Sequence, residues 1–106
     1  DNQAVIADAA AIPPLVELLA SGTAVAKVDA AATLCFLAYD SDNKAAIAEA
    51  GAIPPLVVFL TSGSVRATGK ATAALWNLAC GSSANKAAIA TAGAIPPLVE
   101  LLTSGT

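Results

Sequence analysis

Histidine is missing from this chain, cysteine occurs only twice, and the aromatic share is 4%. Without histidine, zinc sites of the Cys/His kind are excluded, and the side chain that most often serves as a general base is absent. The two thiols, Cys35 and Cys80, belong to no CxxC pair and read as free cysteines of an intracellular protein. Charge is scarce as well, at 12% of residues with a net charge of −3. The five cations, Lys27, Lys44, Arg66, Lys70 and Lys86, are scattered and form no run, so no nucleic-acid partner is expected. No stretch approaches the ~18–20 uninterrupted apolar residues that cross a bilayer, so no membrane partner is expected either. The strongest apolar run, Ile53 to Leu60, holds two prolines and runs into "TSG". Alanine is the largest single part of the 57% hydrophobic share. No basic segment leading into an apolar one opens the chain, and a cytoplasmic or nuclear location is the expectation. Glycines stand singly, and nothing matches the GxxxxGK loop that cradles phosphate, so no cofactor and no small-molecule substrate are expected.

What the chain has in excess is repetition. "AIPPLVELL" fills residues 11–19 and returns unchanged at 94–102, with "AIPPLVVFL" at 52–60. Ile12, Ile53 and Ile95 set a period of 41 and then 42 residues. The likeness extends outward: "DNQAVIADAAAIPPLVELLASGT" (1–23) matches "DNKAAIAEAGAIPPLVVFLTSGS" (42–64) and "ANKAAIATAGAIPPLVELLTSGT" (84–106). The intervening segments 24–41 and 65–83 match each other with one residue inserted. One domain over residues 1–106 is therefore expected: a leading helix pair, 1–23, followed by units 24–64 and 65–106.

Each block predicts two helices. In the middle copy, residues 43–50 follow Asp42 or Asn43 as N-cap and stop at Gly51; Gly93 plays that part in the third copy, and Ala10 stands there in the first. Pro54 and Pro55 then fall in the first turn of a second helix, where a missing N–H costs nothing. That helix is expected to run to Gly63, as its siblings run to Gly22 and Gly105. Segments 24–39 and 65–80 carry a third helix of about four turns, with Thr23 and Ser64 placed to cap them. No strand pattern is visible, and the fold class is all-α. Ile47, Ile53, Leu56, Leu60, Leu75 and Leu78 form one expected core layer; Ile6, Ile12, Leu15, Leu19, Leu34 and Leu37 form the layer before it. Cys35 and Cys80 lie on different helices, out of register by more than one turn, and no disulfide is expected.

A period near 42 with three helices per unit points to armadillo rather than HEAT repeats. "NKAAIAEAGAIPPLVELL" followed by "KATAALWNLACG" resembles the armadillo repeats of plant-type U-box proteins, and more distantly those of β-catenin and importin-alpha. The resemblance covers essentially the whole chain. It implies a right-handed alpha-alpha superhelix, an armadillo solenoid of about two and two-thirds repeats. It also implies a non-catalytic scaffold with a protein or peptide partner, such as the substrate-recruiting part of a U-box ubiquitin ligase. The closeness of the copies fits a recent duplication or an engineered chain.

In a solenoid the third helices line a concave surface. Helical spacing selects Val25, Val28, Asp29, Ala32, Phe36 and Tyr39 on the first, and Arg66, Gly69, Lys70, Ala73, Asn77 and Cys80 on the second, with Cys35 and Trp76 at the edge. The candidate protein-binding residues are Asp29, Phe36, Tyr39, Arg66, Lys70, Trp76 and Asn77. In armadillo proteins that bind extended peptides, an asparagine late in this helix holds the peptide amide, and Asn77 matches it. Phe36 stands at that place in the other unit. Ala32 and Ala73 occupy the place of the importin-type tryptophan, while Trp76 adjoins Asn77. Trp76 either anchors a partner or packs on the neighbouring helix; Asp29 and Lys70 either pair or stay solvated. Glu17 and Glu100 read as a solvated face, and Asp40 and Asp42 as capping residues, so no enzyme is expected.

The ends carry apolar residues with no polar cap. Val5, Ile6, Leu15 and Leu19 at one end, and Ile89, Leu98 and Leu102 at the other, are candidate self-association faces. A homo-oligomer through these uncapped ends is the alternative expectation, with the chain as a structural or engineered module whose main partner is another copy.

Overall fold

A computed structural model describes residues 2–61 and 64–93, with side-chain surroundings from residue 10 onward. Six helices follow one another: α1 (Asn2–Ser21), α2 (Ala24–Leu37), α3 (Ser41–Glu49), α4 (Ile53–Leu60), α5 (Val65–Ala79) and α6 (Ser83–Thr91). The described residues contain no strand. The pattern of two short helices and a long one is complete in α3, α4 and α5.

The long helices start where their caps dictate. Thr23 and Ser64 have extended backbones, and their hydroxyls accept from the N–H of Ala26 and Ala67. Helix α3 begins two residues earlier than the sequence suggests. Its N-cap is Asp40, not Asp42 or Asn43, because the Asp40 carboxylate reaches both Asp42 N–H, at 2.9 Å, and Asn43 N–H, at 3.1 Å. One carboxylate oxygen satisfying two orphan donors outcompetes either alternative cap.

The corner between α3 and α4 turns on one glycine. Gly51 takes φ +88°, its N–H donates to the Ala48 carbonyl, and Ala52 N–H reaches back to Ile47. These two bonds close the end of α3, and α4 leaves at 85° with Pro54 and Pro55 in its first turn. Helix α4 stops at Leu60, short of the expected end at Gly63, which lies outside the described residues.

The first block departs from the middle one. Instead of two helices it forms a single one, α1, with Pro13 and Pro14 inside it. Ala10 stands where Gly51 and Gly93 make the positive-φ corner, and its Cβ makes that conformation unfavourable. The helix therefore runs on, and the carbonyls of Ala9 and Ala10 lose the donors that Pro13 and Pro14 cannot supply.

The expected core is in place. Ile47, Ile53, Leu56, Leu60, Leu75 and Leu78 are all buried, as are Ile12, Leu19 and Leu34 in the preceding layer, while Leu15 and Leu37 are half-buried against it. Ile6 lies outside the described side chains. The most extensive packing joins α2 to α5, the long helices of successive units. Buried alanines, Ala30 and Ala31 on α2 and Ala67, Ala71 and Ala74 on α5, keep these helices slender. The alanine-rich composition thus serves close stacking rather than membrane insertion, and no single described helix is long and apolar enough to cross a membrane.

Two substitutions at the corner carry opposite signs. Gly51→Ala meets no atom within 4 Å, so its cost is the backbone's alone, about 1 kcal/mol. Ala10→Gly, which normally weakens a helix, is expected to stabilise the chain by about 1 kcal/mol, by letting the first block turn before its prolines. Urea midpoints of the two variants check both, and a lower midpoint for Ala10→Gly would overturn the explanation of α1.

Candidate protein-binding surface

The long helices present the predicted face to solvent. Along α2, Val25, Asp29, Phe36 and Tyr39 are exposed, with Val28 and Ala32 half-buried; along α5, Arg66, Gly69, Lys70, Ala73 and Cys80 are exposed. Trp76 is 71% exposed, which decides between its two readings: it does not pack into the neighbouring helix. Phe36 and Tyr39, at 72% and 74%, flank the end of α2 with their rings edge to face, centroids 6.5 Å apart. Such large exposed rings on rigid helices are suited to anchoring a partner. At the other end, Ala24, Val25, Val28 and Asp29 of α2, with Ser64 and Arg66, line a shallow groove of about 220 Å³. Among the described residues, no ion pair joins Asp29 to Lys70.

Asn77 is used differently from what its position suggests. Its amide nitrogen lies 3.0 Å from the carbonyl of Cys35 and 3.2 Å from the Cys35 thiol, so it donates to the preceding unit. Cys35 lies in the last turn of α2, where carbonyls have no intrahelical donor. The side chain that would hold a peptide backbone in a clamping groove instead closes the end of its neighbouring helix.

Three further side chains close helix ends, and the sequence reading missed them. Asn85, buried, donates to Leu78 of α5 at 2.9 Å and to Lys44 of the preceding unit at 3.3 Å. Asn43, its equivalent, is also buried and donates to Leu37 of α2 at 3.1 Å. The Lys44 ammonium donates to the carbonyl of Cys80, the residue that ends α5. A signal was there: "DN", "DN" and "AN" open the three blocks at residues 1, 42 and 84, so the asparagine recurs in register.

The proposed end faces fare unevenly. Leu19 and Ile89 are core residues, 3% and 5% exposed, and Leu15 is half-buried, so none of the three offers a bare apolar face. The rest of the chain already covers them. Val5, Ile6, Leu98 and Leu102 lie outside the described side chains. Cys35 and Cys80 are both free thiols, as expected.

Residues 40–80, the α3–α4–α5 unit, match the Armadillo/beta-catenin-like repeat family. A designed armadillo repeat protein superposes with TM-score 0.85 at 33% identity, over 92% of this chain and 41% of that one. A second designed armadillo repeat protein, in complex with the peptide (KR)4, gives 0.83 at 32% identity, over 89% and 40%. Computationally designed armadillo repeat proteins for modular peptide recognition give 0.80 at 34%, over 87% and 39%. The chain thus spans about two fifths of the length of these structures. No curated protein matches it. Helix order, family match and structural likeness agree: residues 40–80 form an armadillo repeat, and the chain folds as an armadillo solenoid.

Removing the two classes of side chain should have contrasting effects. Asn85→Ala strips donors from two carbonyls and is expected to cost about 2 kcal/mol, and Asn77→Ala about 1 kcal/mol. Trp76→Ala, on an exposed position, should change stability by less than about 0.5 kcal/mol. Chemical denaturation of the three variants checks this ranking; a Trp76 variant as damaged as the Asn85 one would put the ring back in the core.

Proposed function

We propose that this chain is a non-catalytic scaffold that binds protein or peptide segments on the concave face built by α2 and α5. The observation that carries this reading is the exposure of Phe36, Tyr39 and Trp76, each more than 70% exposed near the C-terminal ends of α2 and α5, two helices that pack on each other. Exposing three such rings costs solubility, and a partner that covers them recovers the burial. The designed relatives, one of them bound to a peptide, support the same use of the fold. With Asn77 turned toward Cys35, contact rests on side-chain anchors and charge rather than on a ladder of amides. The two free thiols suit a reducing cytoplasmic or nuclear setting.

Self-association is the second reading. Val25, Val58 and Val65, at 71%, 70% and 85%, add exposed apolar surface that another copy would cover. Sedimentation equilibrium at micromolar protein separates the two readings. A monomer that takes up peptide supports the scaffold, and a dimer whose tryptophan emission moves with protein concentration alone supports the module.

Trp76 is the single tryptophan and reports on its own surroundings. Binding of an extended peptide is expected to shift its emission to the blue, saturably. Phe36→Ala and Tyr39→Ala should each weaken binding of a labelled peptide about tenfold by anisotropy, the effect of a hot-spot residue. Unchanged affinity in both variants would remove the aromatic surface from the reading.

A further inference from the structure

The concave face sorts its charges by helix. Helix α5 exposes Arg66 and Lys70 one turn apart, and its own sequence, VRATGKATAALWNLA, contains no carboxylate. On α2, Val25 and Asp29 line the same groove as Arg66, and Lys27 is half-buried. Two exposed cations thus meet one exposed anion, on a face belonging to a chain of net charge −3. A bound segment meets Arg66 and Lys70 against the single carboxylate of Asp29, an excess of one exposed positive charge on these two helices.

We propose that this face takes an extended segment bearing a carboxylate and a large apolar side chain, and that it rejects a polycationic one. The proposal rests on the scaffold reading above and names the class of its ligand. Arg66, which lines the groove with Val25, Val28 and Asp29, offers a planar fork to a carboxylate, and Lys70 adds a second positive charge one turn on, so that the pair outweighs Asp29. Toward the C-terminal ends of the two helices, Trp76 on α5 and the Phe36 and Tyr39 rings after α2 offer exposed apolar anchors. Arg66 and Trp76 are ten residues apart on one helix, roughly 15 Å along its axis. A segment lying along α5 spans that distance with about four or five extended residues, which fixes the spacing between its carboxylate and its anchor. This ligand class is opposite in charge to the (KR)4 peptide held by one designed relative, so likeness of fold does not carry over likeness of ligand.

The test uses the full chain and three labelled peptides of equal length, each with one tryptophan-sized apolar residue. They differ only in carrying glutamate, glutamine or lysine five positions away, and binding is followed by anisotropy. The glutamate peptide is expected to bind roughly tenfold tighter than the glutamine one, the worth of two exposed charge pairs, and to weaken with added salt. The lysine peptide should bind least. Exchanging both cations, as R66E/K70E, should reverse the order, and single R66A should remove about half of the preference should the double variant not fold. Equal binding of the glutamate and glutamine peptides, or best binding by the lysine peptide, overturns the charge assignment while leaving the scaffold standing. Absence of binding by all three overturns both.

Discussion

A three-helix unit of this kind is incomplete in two respects, and both are made good by its neighbour. Its apolar face has no cover within the unit, and its long helix ends in carbonyls with no donor within the helix. Stacking α5 on α2 buries Leu34, Leu75 and Leu78 in one continuous core with Ile47 and Leu56. Each such side chain contributes about 1.5–3 kcal/mol, against about 1 kcal/mol net for a hydrogen bond. Packing therefore supplies most of the stability. The hydrogen bonds supply something packing alone does not, which is register. Greasy helix faces rich in alanine and leucine could slide by a turn with little loss. Such a slip would carry Asn77 about 5.4 Å from the Cys35 carbonyl and Asn85 as far from the Lys44 carbonyl, breaking both bonds between the units.

The architecture was legible in the sequence because repetition made it so. The period gave the fold class, the hydroxyls of Thr23 and Ser64 gave the starts of the long helices, and Gly51 gave the corner. Two features escaped. The fused helix α1 depended on an alanine at position 10 weighed against two prolines, a contest between local penalties that the likeness of the copies conceals. The N-cap of α3 was misplaced because Asp40, Asp42 and Asn43 are all good caps, and only the backbone shows which one reaches two donors.

The candidate surface was legible as a face but not as a set of roles. Helical spacing selects Phe36, Tyr39, Arg66, Lys70 and Asn77 together, since all share one side of their helices. Spacing does not show that Asn77 leans toward the preceding helix while Trp76, its neighbour, stands in solvent. Nor does it show that the asparagines at 43 and 85 are buried helix-end ligands, because asparagine at a block's start is equally well explained as a cap. A polar residue recurring in register with the apolar core is best suspected of facing that core.

Binding in the proposed position would be tied to folding. A segment lying along the furrow touches α2 and α5 at once, and so bridges the same contact that Asn77 and the core residues hold together. It has no counterpart in the unfolded chain, so its binding free energy adds to the stability of the stack. A short array gains the most from this, having few interfaces of its own, and the gain reports on where the segment lies. A ligand held by α5 alone would leave the α2–α5 contact to open as before. One that spans both helices raises the free energy of opening by the whole of its binding, and hydrogen-exchange protection at the Cys35 and Asn77 ends of the two helices distinguishes these cases.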